Sequence, residues 1–201
     1  MRVAVLGASG RAGSEIVGEL ARRGVDVLAI ARHPGAPADR VTWLALDVAD
    51  RDALVKSLAT QDAVVSAMRF ADTDAPALIA AVKAAGVPRM LLVGGAASLE
   101  TEPGKRLFDS PGFPDAFRVE AGAGIAFLDA LKASELPDWV FISPAINFED
   151  GPRRGEYRIG KDQPLFGADG RSVISFADFA IAMADEVERP AHHRERFTVG
   201  Y

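Results

Sequence analysis

Three glycines spaced Gly7-x-x-Gly10-x-x-Gly13 stand near the start of the chain, directly after a short apolar run and directly before a helix-like pattern. The first glycine permits a tight turn, the second lets backbone approach a pyrophosphate, and the third allows a helix to pack close to the preceding strand. The helix that follows brings unpaired N–H groups to the same anion. Gly7, Ser9, Gly10, Arg11, Ala12 and Gly13 therefore read as a dinucleotide-binding loop. The spacing differs by one residue from the G-x-G-x-x-G fingerprint, and the order strand, loop, helix is what makes it specific. The competing account is that the glycines only shape a turn in another α/β protein.

About 20 residues on, where an acid would bond the ribose 2′-OH of NAD, the chain has Ala31-Arg32-His33. A guanidinium can make two parallel bonds to a phosphate and lacks the repulsion of an Asp. Arg11, inside the loop, could reach the same phosphate from the other side. The pair predicts NADP(H) in preference to NAD(H), against the alternative that Arg32 is a solvated strand-end charge. Asp47 and Val48 could contact the adenine edge, or Asp47 could equally cap a turn. Ala67, Met68, Gly94 and Gly95 end two strands, where small residues would make room for ribose and nicotinamide. Ser98 and Ser143 are the candidate catalytic or polar contacts, with loop capping an equal alternative. Pro144 could wall the nicotinamide.

Such groups must be held by a sheet whose strands run side by side. Near-continuous apolar runs at Arg2–Leu6, 25–31, 41–46, 63–67 and Arg89–Val93 alternate with helical patterns, the signature of βαβ units around a doubly covered parallel sheet. Residues 11–23 carry Ile16, Val17 and Leu20 at helical spacing, and residues 75–85 carry Leu78, Ile79 and Val82. Residues 96–114 read as a long loop at the carboxyl edge. A helix over 115–134 is expected to turn Phe117, Ile125, Leu128 and Leu131 inward, followed by a strand at 139–143. Two short strand-like pieces fall within 147–170. Ser175-Phe176-Ala177-Asp178 resembles a cap for a final helix through Val187, with a closing strand at 196–199. The expected fold is α/β, a Rossmann-type doubly wound parallel sheet with helices on both faces. It forms one domain over 1–201, with a small C-terminal insertion on the substrate side.

Composition excludes several classes of function. With 201 residues, 49% of them hydrophobic, the chain can bury a substantial core. A formal net charge of -5 argues against nonspecific nucleic-acid or anionic-membrane partners. There is no cysteine, so disulfides and thiolate chemistry are absent. No run reaches the roughly 18 to 20 apolar residues of a membrane span, and the N-terminal apolar run is too short for a signal peptide, so a cytoplasmic location is expected. The histidines His33, His192 and His193 lack metal-ligand spacing, so no metal is expected, and the adjacent pair reads as a solvated turn. Glu120 and Asp129 read as exposed helix charges. Oligomeric state does not follow from the sequence.

Taken together, Val3 to Gly13, Ala31-Arg32-His33-Pro34, Leu91 to Ser98, Phe141 to Ala145 and Arg196 to Gly200 resemble the atypical short-chain dehydrogenases of the NAD(P)H-binding, NmrA-like group. The resemblance spans essentially the whole chain and is greatest to the NADH-flavin reductase branch, related in fold to biliverdin reductase B. It implies a reduced nicotinamide cofactor and a flavin-like or quinone-like small-molecule acceptor. Short-chain dehydrogenases carry a Tyr-x-x-x-Lys pair on the helix after the fifth strand, but here that helix begins Phe117-Arg118-Val119-Glu120-Ala121. The string Tyr157 to Lys161 lies between Gly155 and Gly160, in a context that denies the two side chains a shared helix face. Without a proton donor, a conjugated ring that delocalises incoming electrons is a better acceptor than a simple ketone. The expectation is an NADPH-preferring reductase of such a ring. Its rival is a dinucleotide-binding sensor that does not turn over.

Overall fold

The computed structural model describes residues 1–201. The apolar runs pair as parallel strands because each can bury both faces. They are β1 (Arg2–Leu6), β2 (Asp26–Ala31), β3 (Val41–Ala45), β4 (Ala63–Ser66) and β5 (Arg89–Val93). A short antiparallel pair follows, β6 (Glu100–Glu102) with β7 (Lys105–Arg106), then β8 (Asp138–Ser143), β9 (Asn147–Glu149), β10 (Arg158–Gly160), β11 (Val173–Ser175) and β12 (Glu195–Gly200). The main sheet has the order β10-β12-β8-β5-β4-β1-β2-β3, all parallel except β10 against β12. β9 and β11 form a separate parallel pair. The chain winds outward from β1 to β3 and then crosses back to β4. That reversal opens a crevice beyond the carboxyl ends of β1 and β4, where ligands of open α/β sheets bind.

Period-two alternation sends Val3 and Val5 to one core, with α1 (Arg11–Arg22) and α5 (Phe176–Glu188), and Ala4 and Leu6 to the other. The second core is closed by α2 (Arg51–Leu58), α3 (Ala75–Ala84) and α4 (Arg118–Ala133). The domain is thus doubly wound around two apolar layers. Asp50, Asp74 and Ser175 cap α2, α3 and α5 by accepting N–H bonds from Ala53, Ala77 and Asp178.

Four sequence expectations change. Helix α2 was not anticipated, because only Leu54 and Leu58 of its eight residues are buried and the apolar pattern is thin. Strand β3 lies at the sheet edge and is not doubly buried. The 96–114 segment is no plain loop: it holds 3-10 turns at Ala96–Ser98 and Leu107–Asp109 and the β6/β7 pair. Finally, Phe117 does not face inward and is 62% exposed. Residues Asp115–Phe117 form a 3-10 turn, whose three residues per turn put Phe117 out of phase with Ile125, Leu128 and Leu131.

An ion cluster ties the C-terminal insertion to the helix that follows the glycine loop. Glu19, 3% exposed, accepts from Arg22, Arg23 and Arg153, and Arg23 also bonds Asp185 and Glu188. Burial alone would raise the Glu19 carboxyl, but the guanidinium bonds outweigh it and hold it below its usual value. Asp185 is lowered in the same way: its burial is opposed by bonds from Tyr157, Arg23 and Arg189. α1, α5 and the 150–157 segment are thus joined through one network of ion pairs and hydrogen bonds.

Candidate functional site

The glycine loop is shaped by contact rather than by flexibility. Gly7 has φ +72°, and a Cβ there would stand 2.8 Å from the Ala67 carbonyl oxygen. At Gly13 a Cβ would lie 2.2 Å from the Gly7 carbonyl oxygen, so only glycine lets α1 start so close to β1. Gly7 is held across the sheet by its N–H bond to the Ile30 carbonyl, 3.0 Å. Unlike α2, α3 and α5, α1 has no side-chain cap: Gly10 is its N-cap. Its first-turn N–H groups, including those of Ala12 and Gly13, are left for an incoming anion.

Beyond this loop a cleft of about 440 Å³ follows the carboxyl ends of β1 to β4. Its walls bring together Gly7, Ser9, Gly10, Arg32, Asp47, Val48, Ala67 and Met68 from the sequence reading. Asp47 also accepts from the Ala49 N–H at 3.0 Å, so capping its own turn does not remove it from the cleft. Arg32, His33 and Arg51 line the cleft without forming an ion pair, whereas Arg69 is paired with Asp72 and Glu120. Arg51 escaped notice because the helix it begins was not foreseen. The adjacent Asp50, a cap residue before Leu54 and Leu58, was the available signal.

Arg11 does not join Arg32. It is absent from the cleft walls, and its guanidinium lies over the Phe176 ring at 5.2 Å, toward the C-terminal insertion. The expectation that both arginines grip one phosphate from two sides is therefore corrected: the arginine that shares the cleft with Arg32 and has no carboxylate partner is Arg51.

Gly94, Gly95, Ser98, Ser143 and Pro144 sit together at the ends of β5 and β8, outside that cleft. Gly94 is small because a Cβ would meet the Phe141 ring at 2.5 Å, whereas at Gly95 the nearest atom would be 3.9 Å away, on Phe70. The room expected for a ring is thus at Gly95. Ser98 and Ser143 both donate their hydroxyls to the Gly95 carbonyl, at 3.3 and 3.0 Å, and both side chains are buried. Their protons are committed to shaping the turn, so loop capping is the role the geometry gives them. Pro144 is buried beside them.

Glu120 is not a free surface charge. Its carboxylate accepts from the N–H groups of Phe70 and Ala71, at 2.7 and 3.0 Å. It pins the turn after β4 to α4, next to Ala67 and Met68. Tyr157 precedes β10 and lies off any helix; it donates to Asp185 at 2.6 Å. Burial and that bond push its phenol upward, and its proton is committed to Asp185. His192 is not solvated: its ring bonds Glu186 and stacks on Phe197 at 3.9 Å, while His193 faces Asp138. No group of three or more acidic or imidazole side chains is arranged to hold a metal ion, and no helix is long and apolar enough to cross a membrane.

The family model described as NAD(P)H-binding matches residues 7–190. YwnB, an uncharacterized protein of Bacillus subtilis, is 40% identical over 99% of this chain and 98% of its own length. A candidate epimerase from Bacteroides thetaiotaomicron superposes with TM-score 0.93 at 40% identity, covering 100% of this chain and 96% of that one. A candidate NADH-flavin reductase from Streptococcus pneumoniae does so with TM-score 0.87 at 34% identity, covering 100% and 99%.

Proposed function

The chain belongs to the NAD(P)H-binding family, and from that premise we propose that it is an NADPH-preferring reductase of a flavin, quinone or similar conjugated ring. One observation carries the reading: free guanidiniums line the ribose end of the site, while every hydroxyl at the ring end is already spent. Arg32 stands where an acid would have selected NAD, and Arg51 shares its wall. At the other end, the Ser98 and Ser143 hydroxyls point at Gly95 and offer no proton to a developing alkoxide.

The residues present fit a dinucleotide. The uncapped first turn of α1 and the close approach at Gly7 and Gly13 would hold a pyrophosphate, Asp47 and Val48 would border the adenine, and Gly95 would leave space for a flat ring. A bound reduced nicotinamide supplies a hydride. The chain's own work is orientation: Glu120 fixes the turn carrying Phe70, and Phe70, stacked on Phe141 at 5.8 Å, fixes the floor beside Gly95. An acceptor that spreads the incoming electrons over its ring can take its proton from water. The Streptococcus pneumoniae relative, named for flavin reduction, supports the same acceptor class.

The test is to mix the purified protein with NADPH and either FMN or a quinone and follow loss of reduced-cofactor absorbance. Turnover with NADPH exceeding that with NADH is expected. Tight NADPH binding without turnover across several acceptors would instead mark a non-catalytic sensor.

A further inference from the structure

We propose that the acceptor carries an anionic group, a phosphate or a carboxylate, and that Arg11 and Arg154 receive it at the first turn of α5. The inference rests on the reductase reading for the identity of the ring, but not for the presence of the anion site.

Arginines in this chain are mostly committed. Arg22, Arg23 and Arg153 hold Glu19, Arg89 holds Asp138 and Glu186, and Arg196 holds Asp162. The guanidiniums of Arg11 and Arg154 instead have no carboxylate partner and rest on aromatic faces. Arg11 lies over Phe176 at 5.2 Å and Arg154 over Tyr201 at 3.9 Å. Neighbouring residues show that this is selective: Arg153 is drawn to Glu19, while Arg154, the next residue, is not.

Both aromatic plates are parts of one structure. The Tyr201 hydroxyl contacts Ser175 and Asp178, and Ser175 is the cap directly before Phe176. Asp178 is the carboxylate closest to Arg154 in the hydrogen-bond network, but it is fully buried. It is saturated by the N–H groups of Arg154 and Gly155 and by the Tyr201 hydroxyl. It therefore fixes the backbone beneath Arg154 and leaves the guanidinium charge unspent. An aromatic face orients a guanidinium without neutralising it, so two planar cations are held ready beside the first turn of α5. Each can make paired bonds to phosphate or carboxylate oxygens.

The position suits an acceptor rather than the ribose phosphate of the cofactor. Arg11 follows β1 by the glycine loop, on the α5 side, whereas Arg32 and Arg51 line the cleft that follows β2 and β3. Four of the arginines without a carboxylate partner thus stand in two pairs, Arg32 with Arg51 in the cleft and Arg11 with Arg154 on the α5 side. Ser143, bonded to Gly95, pairs with Thr198 of β12, and β12 leads directly to Tyr201 beneath Arg154. Gly95 and the second pair thus share the carboxyl edge of the sheet, within reach of a ring that carries an anionic tail.

FMN and riboflavin share one ring system and differ by the 5′-phosphate, so flavin fluorescence titrated with protein, with and without NADP+, reads the anion term directly. Wild type is expected to bind FMN at least about tenfold more tightly than riboflavin, the worth of a charge-assisted bond. Arg154→Gln should weaken FMN about tenfold and leave riboflavin and NADPH affinities unchanged, with Arg154→Lys recovering part of the loss. Arg11→Gln should do the same to FMN, with NADPH affinity measured in parallel. A second arm compares a naphthoquinone with its carboxylate derivative, separating phosphate from carboxylate as the natural group. Equal affinity for the charged and neutral member in both arms, equal weakening of both by Arg154→Gln, or failure of every ring to bind would overturn the proposal. Arginine-dependent FMN binding without turnover would sink the reductase reading and leave the anion site standing.

Discussion

Arg32→Ala should cost NADPH its advantage over NADH, and its size can be worked from the cleft. Arg32 and Arg51 are exposed, line the same wall and hold no carboxylate. Removing either leaves no buried charge behind, so folding stability should stay within about 0.5 kcal/mol. A hydrogen bond to a charged group contributes about 1.5–3 kcal/mol, and an open cleft puts this pair at the lower end. That converts to about tenfold in NADPH affinity for each single substitution. If both arginines grip one phosphate and the remaining arginine shifts onto the vacated oxygens in each single variant, the double variant, which has none left to shift, should lose more than about 100-fold. NADH lacks the phosphate and should be unaffected. Isothermal titration of wild type, Arg32→Ala, Arg51→Ala and the double variant with both cofactors measures all four corners of the cycle. Raising ionic strength should weaken NADPH and spare NADH. Equal losses for NADPH and NADH, or no loss for either, would refute the phosphate assignment and return Arg32 to a solvated charge.

Other consequences follow from contacts already described. Gly13→Ala places a methyl 2.2 Å from the Gly7 carbonyl oxygen; it should cost about 1–3 kcal/mol in thermal unfolding and weaken both cofactors together. Glu19 and Asp185 are held below their usual values of 4.5 and 3.8. A depressed folded pKa stabilises the fold above the unfolded value, and that stability is lost as pH falls through the folded one. Urea unfolding should therefore show little change near neutrality and a steep loss beginning below pH 4.5. Glu19→Gln should shallow that acid limb and cost about 1 kcal/mol at neutral pH, since Arg22 and Arg153 are half exposed and Arg23 keeps Asp185 and Glu188. Tyr157→Phe removes the bond to Asp185 and should lower stability by about 1 kcal/mol without changing reductase turnover. Loss of turnover in a folded Tyr157→Phe protein would bring that hydroxyl into the reaction.

Much of this architecture was legible because both faces of the inner strands are buried. Val3 to Leu6 and Met90 to Leu92 are apolar without interruption, which only a sheet covered on both sides requires. The glycine loop was legible for a different reason: each glycine answers a steric demand local to the turn, as the contacts at Gly7 and Gly13 show. What escaped depends on partners distant in sequence. Glu120 reads as a helix surface charge until the N–H groups of Phe70 and Ala71, some 50 residues away, are brought to it. Arg11 reads as a phosphate ligand until Phe176 is seen beneath it.

The sequence left Ser98 and Ser143 open between a polar contact and a loop cap, and Arg32 open between a phosphate ligand and a solvated charge, and one principle bears on both. A side chain's chemistry is set by what it has already bonded, not by its type. Ser98 and Ser143 are hydroxyls at the ends of the strands where catalytic hydroxyls are sought, yet one backbone carbonyl, that of Gly95, takes both protons. Arg32, Arg51, Arg11 and Arg154 are ordinary surface cations by composition, yet none has been neutralised by the chain's own acids. At the ends of β5 and β8 the fold has bonded its two serine hydroxyls, while around the glycine loop it leaves four guanidiniums without a carboxylate. On the proposed reductase reading, that arrangement suits the alignment of charged, planar molecules for a transfer whose proton comes from solvent.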